Sequence, residues 1–171
     1  MGKNIILIGF MGVGKGSIAR EIVKQNPMVA LDTDDVIESM ENRKIKKIFE
    51  EEGEAYFRAL EQRVADWLEA DVKHTLISTG GGFFKVKNLK KIGTVVLLHA
   101  DFDTIYHRIL THPNAEKKLK KRPLFKDEKS ARALYDEREK QYLRTADIVI
   151  DVAGKTPEKI AKEIIKKVIR K

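Results

Sequence analysis

The stretch GFMGVGKGS, Gly9 to Ser17, carries the residues best suited to phosphate chemistry. Gly9, Gly14 and Lys15 satisfy the phosphate-loop pattern G-x-x-x-x-G-K-[ST], but the hydroxyl position after the lysine is Gly16. Glycines at 9, 12 and 14 let backbone N–H groups turn inward onto phosphate oxygens. Lys15 then reaches the outer phosphates as a point charge. A glycine-rich turn that merely packs a helix on a sheet explains the glycines and leaves the lysine unexplained. Ser17 comes one place late, displaced by about 100° around the helix, and does not simply stand in for the missing magnesium ligand. Magnesium keeps several waters and takes few protein ligands. A water in place of the hydroxyl, with Asp32 holding the shell, leaves a loop that binds ATP with weakened magnesium binding.

Carboxylates and guanidinium groups supply the rest. LDTDD places Asp32, Asp34 and Asp35 at the end of the second apolar run. Residues two apart in an extended segment face one side, so Asp32 and Asp34 are expected to share the site. One would orient metal-bound water while the other meets an acceptor hydroxyl; helix capping by Asp34 or Asp35 is the plainer alternative. A helix over Glu54–Leu68 sets Phe57, Leu60, Glu61, Val64 and Leu68 on one stripe, so Glu61 interrupts an apolar face and can lock Arg58 toward a site. A structural ion pair is the competing explanation. The helix from Lys129 repeats the anomaly, with Arg138 among Ala131, Leu134, Tyr135 and Tyr142. Two inward arginines form a clamp for a small carboxylate, which points to an organic-acid acceptor rather than a second nucleotide. Gly80, Gly81 and Gly82 in STGGGFF let a small ligand touch backbone, although a plain turn would use them too. Arg122, extended by Pro123, can swing onto transferring phosphates. Lys117, Lys118, Lys120 and Lys121 read as solvated. His74, His99, His107 and His112 have no metal spacing, and Trp67 reads as packing.

The elements that must hold these residues alternate along the chain. Asn4–Phe10, Met28–Asp34, His74–Gly80, Thr94–Ala100 and Asp147–Val152 read as short buried strands of a parallel sheet. Helices are expected over Lys15–Lys24, Asp35–Met40, Lys44–Glu50, Glu54–Leu68, Phe102–Leu110, Lys129–Thr145 and Pro157–Ile169, the last capped by Thr156 with Pro157 in first place. The result is a three-layer α/β fold. Thr111 to Ser130, with two prolines and dense lysines, reads as a mobile loop or lid. The absence of cysteine removes disulfides and thiol chemistry, and the net charge of +8 suits anionic ligands. No aromatic–basic stacking pattern points to nucleic acid, and no apolar run approaches the roughly 18 residues of a membrane span. A cytoplasmic address follows as the default.

Taken together, GFMGVGK, LDTD, IFEEEGEAYFRALE, ISTGGG, KRPL, YDEREKQY and the final AD-x-V-I-D resemble shikimate kinase over essentially the whole chain. The resemblance implies a P-loop kinase of the nucleoside-monophosphate-kinase type: a five-stranded parallel sheet in order 2-3-1-4-5 flanked by helices, with a mobile lid. It implies one domain over 1–171, with a substrate-binding region about 34–62 and a lid about 111–127. It implies transfer of the ATP γ-phosphate to the 3-hydroxyl of shikimate, with ATP and Mg²⁺, by a monomer. Carried over by position, Gly12, Val13, Gly14, Lys15, Gly16 and Ser17 cradle the phosphates, with Asp32 and Ser17 left as metal candidates. Asp34 binds the acceptor hydroxyls as base, Arg58 and Arg138 hold its carboxylate, and Gly81, between Gly80 and Gly82, gives backbone contact. Lys15 and Arg122 neutralise charge, while Arg108 and the loop with Lys155 and Pro157 flank adenine. Gly16 departs from the family's serine or threonine. A gluconate-type kinase, or a shikimate- and ATP-binding protein of low turnover, are the alternatives.

Overall fold

The structure, a computed structural model, describes residues 3–120, 125 and 127–169. Its sheet has the expected order, β2-β3-β1-β4-β5, with every neighbouring pair parallel. The strands are β1 (Asn4–Ile8), β2 (Val29–Asp32), β3 (Thr75–Ser78), β4 (Gly93–His99) and β5 (Ile148–Asp151). All of β1 is buried, because a central parallel strand is covered on both faces, and that is why its sequence is continuously apolar. The register Ile6↔Ile77 and Ile6↔Val95 aligns the carboxyl ends of β1, β3 and β4. Asn4 is buried at the opposite end and fully used: Nδ2 donates to Val72 O (2.7 Å) and Ile92 O (3.0 Å), and Oδ1 accepts from Thr75 N (3.0 Å). A buried amide is tolerated when it is satisfied in this way.

The helices are α1 (Lys15–Gln25), α2 (Thr33–Glu41), α3 (Ile45–Asp71), α4 (Leu89–Ile92), α5 (Phe102–Leu110), α6 (Ala115–Lys120), α7 (Glu128–Thr145) and α8 (Pro157–Ile164). α1 packs against α8, and α4 and α7 pack on β4. Thr156 caps α8 as expected, its side chain accepting from Lys159 N at 3.3 Å. The helix widens to a π-type turn over Ile165–Ile169 instead of continuing unchanged. The two helices expected on either side of residue 53 merge into α3, broken where Gly53 takes φ 81° and ψ 177°.

Other differences have local causes. β2 stops at Asp32 because its carboxylate accepts from Asp34 N (2.9 Å) and caps α2, so the cap is Asp32 rather than Asp34 or Asp35. Asp34 therefore sits in the first helical turn, not in an extended segment beside Asp32. A 3₁₀ turn (Phe83–Lys85), α4 and α6 were not expected; the first two are too short to show periodicity, and α6 lies in the lysine-rich segment. The far end of that segment is held: Phe125 is buried, its ring 5.9 Å from Phe10 edge-on and 6.2 Å from Tyr106 in a stack. Trp67 lies 42% exposed on α3 and is not core packing. His99 is structural, with Nε2 2.8 Å from Glu139 Oε1.

Candidate active site

The phosphate loop joins β1 to α1. Gly12 has φ 85°, a left-handed conformation that favours glycine, and a methyl group there would also press on Ile109 Cδ1 at 2.5 Å. Gly14 takes φ 103° at the N-cap of α1, a left-handed turn that aims the first N–H groups of the helix outward. Lys15 Nζ arches over the loop, donating to Gly9 O (2.6 Å) and Phe10 O (3.2 Å). Arg108, from α5, reaches Val13 O and Val152 O, each at 3.3 Å. It thereby ties the segment after β5, which runs through Lys155 to Pro157 at the start of α8, to the phosphate loop. A cavity of about 420 Å³ opens here, and Gly12, Gly14, Lys15, Gly16, Ser17 and Arg108 line it with Asp32, Asp34, Gly80 and Gly81. Val13 is buried beneath.

The other end of the cavity is made of side chains around the glycine run after β3. Thr33 Oγ1 accepts from Gly80 N (3.1 Å) and fixes the run against the start of α2. A methyl on Gly80 would meet Asp34 Oδ1 at 2.6 Å; on Gly81, Arg138 Nη1 at 3.0 Å; on Gly82, the Arg58 Cζ at 2.7 Å. Asp34, Arg138 and Arg58 thus come from three helices to three successive glycines. Tyr142 OH donates to Gly81 O (2.5 Å), clamping the middle residue. Arg58 Nη1 donates to the buried Glu61 at 2.6 Å, with Glu54 as a second, exposed partner at 3.1 Å. Burial raises the Glu61 pKa, and the bond to Arg58 pulls it back down.

Among the described residues, buried Asp34 Oδ1, Glu61 Oε1 and Arg138 Nε have no hydrogen-bond partner. Buried polar atoms are nearly always paired, so three around one glycine run mark a place built for a polar molecule. Burial, and then the Asp32 and Glu61 charges, lift the Asp34 carboxyl to about 7, against the opposing pull of Lys15. That value suits a group that takes a proton near neutrality.

Some expected residues are not gathered here. Lys155 pairs with Glu163 (2.8 Å), and neither it nor Pro157 lines the cavity. Arg122 lies outside the described residues. Lys118, expected to be solvated, does line the cavity, as do Ser78 and Thr79, which belong to none of the expected site residues. Their signal was position, since Ser78 ends β3 and Thr79 follows it beside the first strand's loop, where parallel sheets gather ligands, and both fall within the ISTGGG stretch. No cluster of three or more His, Cys, Asp or Glu with metal-binding geometry occurs among the described residues.

The shikimate kinase family model matches residues 11–169. The chain belongs to the shikimate kinase family. A shikimate kinase of Helicobacter hepaticus is 41% identical over 95% of this chain and 94% of its own. Among solved structures, shikimate kinase from Acinetobacter baumannii in complex with shikimate superposes with a TM-score of 0.84. It is 29% identical, over 99% of this chain and 94% of that one. Shikimate kinase from Aquifex aeolicus gives a TM-score of 0.76 at 34% identity, over 95% and 94% of the two chains. Membership makes this shikimate kinase relative an ATP-dependent small-molecule kinase, and the gluconate-type and binding-only alternatives are not favoured. No helix among the described residues is long and apolar enough to cross a membrane.

Proposed function

We propose that this chain transfers the γ-phosphate of ATP to the 3-hydroxyl of shikimate, giving shikimate 3-phosphate on the route to chorismate and aromatic amino acids. The observation that carries this reading is the set of buried atoms without a hydrogen-bond partner among the described residues: Asp34 Oδ1 and Arg138 Nε beside Gly80 and Gly81, and Glu61 Oε1 behind Arg58. A ring bearing one carboxylate and several hydroxyls suits two of these groups directly: the carboxylate accepts from Arg138 and Arg58, and a hydroxyl donates to Asp34. Asp34 takes the proton of the attacking hydroxyl as the new oxygen–phosphorus bond forms, and the bond to the ADP oxygen breaks in line with it. Lys15 and the loop N–H groups from Gly12 to Ser17 balance charge on the phosphates, and Arg122 adds the lid's contribution. Arg108, with the Lys155 and Pro157 loop, bounds the adenine.

The donor set for magnesium is thin. Position 16 has no hydroxyl, Ser17 Oγ accepts from Arg20, and Asp32 has one oxygen engaged in capping. The second Asp32 oxygen fits an ion held mainly by phosphates and waters. Such an ion supplies charge neutralisation on the outer phosphates. We assign the activity to one domain spanning 1–171, working as a cytoplasmic monomer, with an acceptor region about 34–62 and a lid about 111–127.

A coupled assay of ADP release tests the proposal. Release should depend on shikimate and be absent with gluconate. Phosphorylation of gluconate alone, or a rate equal to buffer with shikimate binding intact, would overturn it.

A further inference from the structure

Position 16 is where the loop departs from its pattern, and a side chain four residues onward lies beside it. Gly16 lies in the first turn of α1 and Arg20 one turn later on the same face. Helical side chains lean toward the N-terminus, so Arg20 projects back over residue 16. A methyl on Gly16 would stand 3.7 Å from Arg20 Nη1, in ordinary contact. Arg20 Nη2 donates to Ser17 Oγ at 3.3 Å. Arg20 lines the same cavity as Gly14, Lys15, Asp32 and Asp34, yet makes no ion pair among the described residues. An exposed arginine on a solvated helix would usually hold a carboxylate or face open water. This one is exposed and borders the phosphate cavity.

We propose that Arg20 is a phosphate-contacting residue: across the gap at Gly16 its guanidinium reaches the outer phosphates of the nucleotide. There it supplies positive charge on the side where a hydroxyl-held metal ion would otherwise work. The planar fork suits phosphate oxygens in a way that a lysine ammonium does not. Two cations against the same oxygens repel, so the arginine that retains nucleotide also lowers its dependence on divalent metal. The inference rests on the placement of ATP on this loop given above.

Calorimetric titration of ADP and ATP into the full chain, in EDTA and in MgCl₂, tests it without requiring turnover. The wild type should bind metal-free nucleotide within about threefold of its magnesium-loaded affinity. Arg20→Ala should weaken metal-free binding about tenfold, the scale of one charge-assisted hydrogen bond. Its magnesium-loaded binding should stay within about threefold. Arg20→Lys should recover only part of the loss, and Gly16→Ser should restore a strong magnesium dependence. Because Arg20 is exposed, its variants should keep the wild-type melting temperature. Equal metal-free affinity in wild type and Arg20→Ala, with Lys15→Ala weakening both conditions, overturns the role of Arg20 alone. No loss of affinity in Lys15→Ala overturns the placement of the nucleotide, and the inference falls with it.

Discussion

The two ends of the cavity are built from different materials. At the phosphate end, backbone does most of the work, through left-handed glycines and the first turn of α1, and the cationic side chains rest on carbonyls. At the other end, helices α2, α3 and α7 each contribute one charged side chain to a run of glycines, and three buried polar atoms have no hydrogen-bond partner among the described residues. A cradle made of N–H groups survives the loss of one side chain, which is why Gly16 is compatible with a working loop. A pocket made of side chains has no such reserve. Damage should therefore be graded differently at the two ends.

The largest effect should come where the ends meet. Asp34→Asn keeps the shape but removes the proton acceptor, and kcat should fall about 10²–10⁴-fold with little change in ATP affinity. In the unmutated chain, kcat/KM for shikimate should decline as pH falls below about 7, because burial lifts the Asp34 carboxyl to that value. A flat profile between pH 5 and 8 would remove Asp34 from the base role. Next come the guanidinium groups. Arg138→Ala or Arg58→Ala should raise KM for shikimate about 10²-fold and leave KM for ATP alone. If KM for ATP rose equally, the division between the two ends would be lost. Gly82→Ala is gentler: its methyl meets the Arg58 guanidinium, which swings aside, and KM for shikimate should rise about tenfold.

Stability gives the finest test. The folded Asp34 holds its proton up to about pH 7, whereas an unfolded aspartate releases it near 3.8. Its contribution is full below the unfolded value and is lost as pH rises through about 7. Asp34→Asn should therefore be more stable than wild type at pH 8, by roughly 1–4 kcal/mol, and no more stable at pH 4. Paired melting curves at the two pH values measure it. Smallest of all, Asp32→Ala should cost about 1 kcal/mol through loss of the α2 cap.

The central strands and the two helices on either side of residue 53 were readable because apolar runs and helical periods are long-range patterns that packing obeys. The sheet order came from the family resemblance. The edge strands are not buried as expected: Val29 of β2 is 71% and Val149 of β5 44% exposed, because among the described residues nothing pairs beyond them. Glu61 and Arg138 were readable because a charge on an apolar stripe is conspicuous. The pairing of Asp34, Arg138 and Arg58 with Gly80, Gly81 and Gly82 was not, since it depends on how three helices cross the end of β3. The capping role of Asp32 was missed because LDTDD offers three carboxylates, and the residue where the strand ends decides which one caps. Arg20 escaped notice because a basic residue on a surface helix looks ordinary until the missing side chain at Gly16 is placed beneath it.

Gly53 breaks α3 for reasons of handedness alone. Its φ and ψ lie in a region open to glycine, and no atom stands within 4 Å of where a side chain would begin. An L-alanine at 53 meets no steric obstacle and should cost about 1–3 kcal/mol through backbone strain alone, a cost that D-alanine in a chemically synthesised chain should relieve. Chirality at one atom would then separate two molecules of the same composition.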